Sequence, residues 1–156
     1  MKFLRSSIRL LLLALATALF AHAALAANPV EVSADRFVVD QANAEATFTG
    51  NVVVSRADLR VWADKVVVHY GEGGVTNITN LVATGRVRIE TRDQTATGDR
   101  VTFDPRSQVL RLSGNVTVTN ASGTLNGPEL VINLAEQTSV FSSNGGGRVT
   151  GVFTPQ

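Results

Sequence analysis

Two short phrases alternate along this chain at a nearly fixed separation, and that repetition limits what the chain can fold into. One phrase reads Thr49-Gly50-Asn51-Val52-Val53-Val54. It returns as Thr84-Gly85-Arg86-Val87-Arg88-Ile89 and Ser113-Gly114-Asn115-Val116-Thr117-Val118, with a weaker copy at Gly146-Gly147-Arg148-Val149. The other reads Ala34-Asp35-Arg36-Phe37-Val38-Val39. It returns as Ala63-Asp64-Lys65-Val66-Val67-Val68 and Gly98-Asp99-Arg100-Val101-Thr102-Phe103, and in altered form as Gly127-Pro128-Glu129-Leu130-Val131-Ile132. Gly50 and Asp64, Gly85 and Asp99, and Gly114 and Pro128 each stand 14 residues apart, whereas the return legs vary from 15 to 21. A constant leg beside a variable one predicts a fixed strand–turn–strand unit and a second turn that accepts insertions. The longest leg holds Gly71-Glu72-Gly73-Gly74, a loop-type insertion.

Within each phrase apolar residues alternate with period two, the pattern of a strand with one buried face. Counted from the glycine, the inward set is Val52/Val54, Val87/Ile89 and Val116/Val118, with Ala46/Phe48, Leu81/Ala83 and Leu110/Leu112 ahead of it. Counted from the aspartate or its equivalent, it is Phe37/Val39, Val66/Val68, Val101/Phe103 and Leu130/Ile132. Arg36, Lys65, Arg88, Arg100, Arg111 and Thr117 fall between them, so the other face is wet. The repeated glycine is expected at a bend or bulge. The repeated aspartate is expected to open a strand by accepting local backbone N–H bonds. Calcium repeats built on aspartate have short spacing and clustered glycine, which this chain lacks.

A repeat of about 30 residues cannot bury its apolar face alone, and stacking neighbours does so. The expected fold is therefore all-β: a repetitive antiparallel β-jellyroll with an elongated apolar interior. Its first and last strands would be open edges. They carry Val30 and Val32 at one end and Val149, Val152 and Phe153 at the other, without charge or proline to guard them. Bare ends on a periodic sheet suit the addition of strands from another copy or a partner.

The first residues read as a targeting segment. Lys2, Arg5 and Arg9 precede the apolar run Leu10 to Phe20, and small residues follow through Ala26. That is the layout of a secretory signal peptide, and the run is far shorter than the roughly 20 residues a spanning helix needs. We expect cleavage after Ala26 and one domain over residues 27–156. Three of the 14 Lys/Arg residues lie in this leader, leaving 11 against 13 acids, so the exported part is mildly acidic and does not read as a nucleic-acid surface. With no cysteine, disulfides, thiol chemistry and cysteine metal sites are absent.

The phrase Phe48-Thr49-Gly50-Asn51-Val52-Val53-Val54, followed by Ala63-Asp64-Lys65-Val66-Val67-Val68, resembles the central segment of the LptA/OstA family of periplasmic lipopolysaccharide-transport proteins. The resemblance runs from about Val30 to Phe153 and includes Val30-Glu31-Val32-Ser33-Ala34-Asp35 and Gly147-Arg148-Val149-Thr150. It implies a V-shaped jellyroll open at both ends. It also implies joining end to end with other copies, or with the jellyroll domains of LptC-like inner-membrane and LptD-like outer-membrane proteins. The joined interior would shelter the acyl chains of lipid A while lipopolysaccharide crosses the periplasm.

No catalytic constellation can be assembled, and no cofactor is expected. His69 is the single histidine outside the leader, no nucleophile elbow is present, and the glycine cluster at 71–74 lacks the residues of a phosphate loop. The lipid-binding candidates are therefore the inward residues: Val30, Val32, Phe37, Val39, Phe48, Val52, Val54, Val66, Val68, Val87, Ile89, Val101, Phe103, Val116, Val118, Leu130 and Ile132. Arg86, Arg88, Arg92 and Arg100 are weighed as contacts for lipid phosphate against a plain solvated face. A structural or adhesive repeat protein that binds no lipid, and an enzyme acting on envelope glycans, are the competing readings.

Overall fold

The period-two alternation becomes ten strands of one antiparallel sheet in a computed structural model that describes residues 30–143 and 146–155. The leader and its cleavage site lie outside the described residues. In chain order the strands are β1 (Glu31–Ser33), β2 (Arg36–Asp40), β3 (Glu45–Arg56), β4 (Leu59–Tyr70), β5 (Ile78–Glu90), β6 (Gln94–Asp104), β7 (Val109–Asn120), β8 (Gly123–Asn133), β9 (Thr138–Ser142) and β10 (Thr150–Phe153). The six long strands β3 to β8 follow one another as neighbours. At one end β1 pairs with the second half of β3 and β2 with its first half. At the other, β10 pairs with the first half of β8 and β9 with its second.

This splitting of the outer strands reveals a fold line. Every pairing between long strands breaks register near its middle: at Thr49/Val52, Trp62/Lys65, Thr84/Val87, Thr97/Arg100 and Ser113/Val116, with a second break in β4–β5 at His69/Tyr70. The middle breaks fall on the repeated phrases. Gly50, Gly85 and Gly114 have φ near +80°, and the next residues Asn51, Arg86 and Asn115 are left-handed as well. Two consecutive left-handed residues bulge and bend a strand. Aligned across the sheet, the bulges form an apex from which two wings extend, and the apolar residues of both wings merge in one core. The result is the all-β jellyroll expected from the repeat.

The glycines are required for a second reason. A Cβ on Gly50, Gly85 or Gly114 would collide with the carboxylate of Asp35 in the bend between β1 and β2, of Asp64 on β4 or of Asp99 on β6. Each aspartate lies over the glycine of its neighbour and bonds the side chain that follows it. Asn51 Nδ2 donates to Asp35 at 3.0 Å, Asn115 Nδ2 donates to Asp99 at 3.2 Å, and Arg86 donates to Asp64 through two nitrogens. The two phrases are thus halves of one cross-strand latch. This corrects the local backbone role expected for the repeated aspartates.

That local role belongs to another set. Asp40, Asp104 and Asn133 end β2, β6 and β8, and their side-chain oxygens accept backbone N–H bonds from Asn43, from Arg106 and Ser107, and from Ala135 and Glu136. Four residues after each, Ala44, Gln108 or Gln137 turns left-handed and the next strand starts. The insertion at residues 71–77 replaces this turn between β4 and β5 with a short 3-10 turn, Gly74–Thr76.

Candidate functional site: the inner face of the folded sheet

Strand register arranges the inward side chains in four rows that run across the strands, two beside the apex and two farther out. The tightest row alternates small and β-branched residues: Ala63, Val87, Gly98, Val116 and Gly127 follow Val52 on successive strands. Each aspartate-bearing strand supplies the small residue and each glycine-bearing strand the valine. Val52, Val87 and Val116 are each 1% exposed, so the row is closed along most of its length and half-buried at Gly127.

Across the apex runs the row Phe48, Val66, Ala83, Val101, Leu112 and Leu130, extended by Phe37 at one end and Phe141 at the other. Its middle is buried, with Leu112 at 0%. Its ends are aromatic: Phe37 and Phe48 stack at 4.6 Å between centroids, and the Phe141 ring lies over Gly127.

The outer rows differ in burial. On one wing Val32, Val54, Val61, Val118 and Leu125 are half-buried, and only the short-chained Ala96 and Ile89 beside it are covered. On the other wing Val68, Leu81, Phe103, Leu110 and Ile132 are half-buried, with Ala46 covered. The inner surface is therefore dry at the apex and partly open toward the mouth.

Most of the inward candidates fall on these rows, but the end-strand ones are not enclosed. Val30, Phe37 and Val39 are more than two-fifths exposed, because among the described residues β1 and β2 have no neighbour beyond them. At the opposite edge Val149, Val152 and Phe153 are exposed, Phe153 at 66%. Sequence reasoning left Val61, Ala96 and Leu125 out of the candidate set. The signal was present, since they stand three residues before Asp64, Asp99 and Pro128, as Val32 does before Asp35.

The arginines weighed for lipid phosphate mostly have partners. Arg86 holds Asp64, Arg88 meets Glu90 at 2.9 Å and Arg92 meets Asp58 at 2.6 Å. The Arg86 guanidinium holds the Asp64 carboxyl below the usual carboxylate range. Trp62, on the outer face, lies under Arg88 at 5.5 Å and Arg60 at 5.9 Å. His69 Nδ1 lies 3.2 Å from Glu45 Oε1, also outside. Asp35, Asp64 and Asp99 face Asn51, Arg86 and Asn115 rather than one another. Among the described residues no cluster of His, Asp and Glu could hold a metal ion.

Comparison with known proteins agrees with this architecture. Residues 31–138 match the family described as LptA/(LptD N-terminal domain) LPS transport protein. The lipopolysaccharide export system proteins LptA of Escherichia coli strain K12 and of Shigella flexneri are each 24% identical over 133 residues, covering 82% of this chain and 72% of theirs. The fold is similar to that of LptH, described as the LptA-homologous periplasmic component of the lipopolysaccharide transport device of Pseudomonas aeruginosa. That match has a TM-score of 0.71 at 19% identity, over 82% of this chain and 96% of LptH.

Proposed function

Because the chain belongs to the LptA/LptD N-terminal-domain family of lipopolysaccharide transport proteins, we propose that it is exported to the periplasm and carries lipopolysaccharide between the two membranes. The acyl chains of lipid A lie between the wings and the phosphorylated sugars stay outside the mouth. The work is done by burial and not by bond making: each methylene leaving water contributes roughly 0.8 kcal/mol. The leader is removed after Ala26, and residues 27–156 act as one domain.

The observation that carries this reading is the gradient along the inner face. The middles of the apex rows are closed, so Val52, Val66, Val87 and Val116 hold the sheet. The distal rows are apolar from strand to strand yet half-open, which fits Val54, Val68, Phe103, Val118 and Ile132 as the acyl-chain contacts.

The ends support a bridge. Neighbouring strands alternate in direction from β1 through β3–β8 to β10, so the two edges of the molecule run oppositely. A second jellyroll placed head to tail in the same orientation would set its β9–β10 edge antiparallel to β1–β2. It would also bring the two apices into line. An LptC-like domain, an LptD-like domain or another copy of this chain meets that requirement, and Val30, Val32, Val149, Val152 and Phe153 would be covered by the joint.

Depleting the protein while following newly made lipopolysaccharide tests the proposal. Accumulation at the inner membrane is expected. Normal delivery to the outer membrane would contradict it.

A further inference from the structure

The outer face of one wing carries a second periodic row. Arg36, Thr49, Lys65, Thr84, Arg100 and Ser113 lie side by side on β2 to β7. A cation follows each latch aspartate and a hydroxyl precedes each latch glycine, so the repeat itself builds a rail of alternating charge and hydroxyl. The three cations are exposed and the three hydroxyl residues half-buried between them. Unlike Arg86, Arg88, Arg92 and Arg111, none of Arg36, Lys65 and Arg100 forms an ion pair among the described residues. The flanking carboxylates of Asp35, Asp64 and Asp99 are engaged across the apex by Asn51, Arg86 and Asn115. The rail ends at Glu129, which is held by Arg111 at 2.7 Å.

We propose that this rail binds a linear acidic glycan. Successive cations are two strands apart, about 9.5 Å. An extended glycan advances by a similar distance per disaccharide, so one acidic sugar in each pair can meet Arg36, Lys65 and Arg100 in turn while sugar hydroxyls meet Thr49, Thr84 and Ser113. Sheet twist selects against flat partners. At roughly 20–25° per strand, the rail turns through about 80–100° between Arg36 and Arg100. A bilayer surface touches one or two of the cations at a time, whereas a polymer chain follows all three. The rail lies on the outside, so this binding is separate from carriage of lipid between the wings.

Binding of oligogalacturonate, a glycan with a carboxylate on every sugar, tests the proposal by titration calorimetry on the exported chain. R36Q/K65Q/R100Q is compared with R56Q/R106Q/R148Q, which removes the same charge from exposed sites off the rail. Far-ultraviolet circular dichroism and urea melts check that both variants fold as the parent does. The expected result is salt-sensitive binding that weakens at least tenfold in the rail variant and less than twofold in the control, with no binding of uncharged dextran. Equal weakening in the two variants would overturn the proposal. So would rail-dependent binding of phosphatidylglycerol vesicles or polyglutamate without binding of oligogalacturonate. Lipopolysaccharide crosslinking from Phe103 in the rail variant reads the carrier role separately and is expected to be unchanged.

Discussion

The apex and the mouth of the folded sheet are built from the same repeat, yet they solve opposite problems. At the apex, valine alternates with alanine or glycine, and aspartate lies over glycine on the next strand. Val52, Ala63, Val87 and Val116 are within a few per cent of full burial. Toward the mouth the residues are as apolar but half-covered, and among the described residues no such latch is present. Burial is what a core needs, and incomplete burial of apolar surface is what a lipid site offers. The apex is therefore a packed fold line that holds the wings, and the mouth is the apolar surface that the proposed lipid would cover.

Cavity formation should separate the two regions most strongly. Leu112→Ala at the apex is expected to lower stability by about 2–5 kcal/mol. Leu110→Ala, two residues away and half-buried, should cost less than half as much. Urea melts of both variants check this, and equal losses would break the distinction. The latch comes next. Gly114→Ala places a Cβ against Asp99 at a left-handed position, with an expected loss of about 1–3 kcal/mol. Gly147 is also left-handed, but among the described residues nothing lies within 4 Å of an added Cβ. Gly147→Ala should therefore cost less, by the strain of the contact alone.

The smallest effect concerns pH. Asp64 has a folded pKa lowered first by its bond to Arg86. Its contribution is fully present above the unfolded carboxylate value, about 3.9, and is lost as pH falls through the lower folded value. Asp64→Asn should therefore flatten the fall in stability below about pH 4 and leave its slope at neutral pH unchanged. A variant that titrates like the parent in acid would show that the latch at this repeat acts by shape alone.

Much of this was legible in the repeat, because period-two alternation has one physical meaning in a strand and the 14-residue leg fixed where strands pair. The bend at Gly50, Gly85 and Gly114 was readable for the same reason. The latch was not. Asp64 and Gly85 are 21 residues apart, and nothing local shows that one lies over the other until register is known. The latch also misled the sequence reading of Asp35, Asp64 and Asp99, whose expected backbone bonds are made by Asp40, Asp104 and Asn133. The gradient from apex to mouth was equally hidden. Val52 and Val54 are the same residue type two positions apart on one face, and only their distance from the fold line separates a closed position from a half-open one.

Photo-crosslinking in cells tests the central distinction most directly. A crosslinking residue is placed in turn at Phe103 in the mouth, at Leu112 at the apex and at Thr102 on the outer face. Lipopolysaccharide adducts from Phe103, with none from the other two, are the predicted result. Equal capture from Leu112, or none from Phe103, would contradict the assignment of lipid to the mouth.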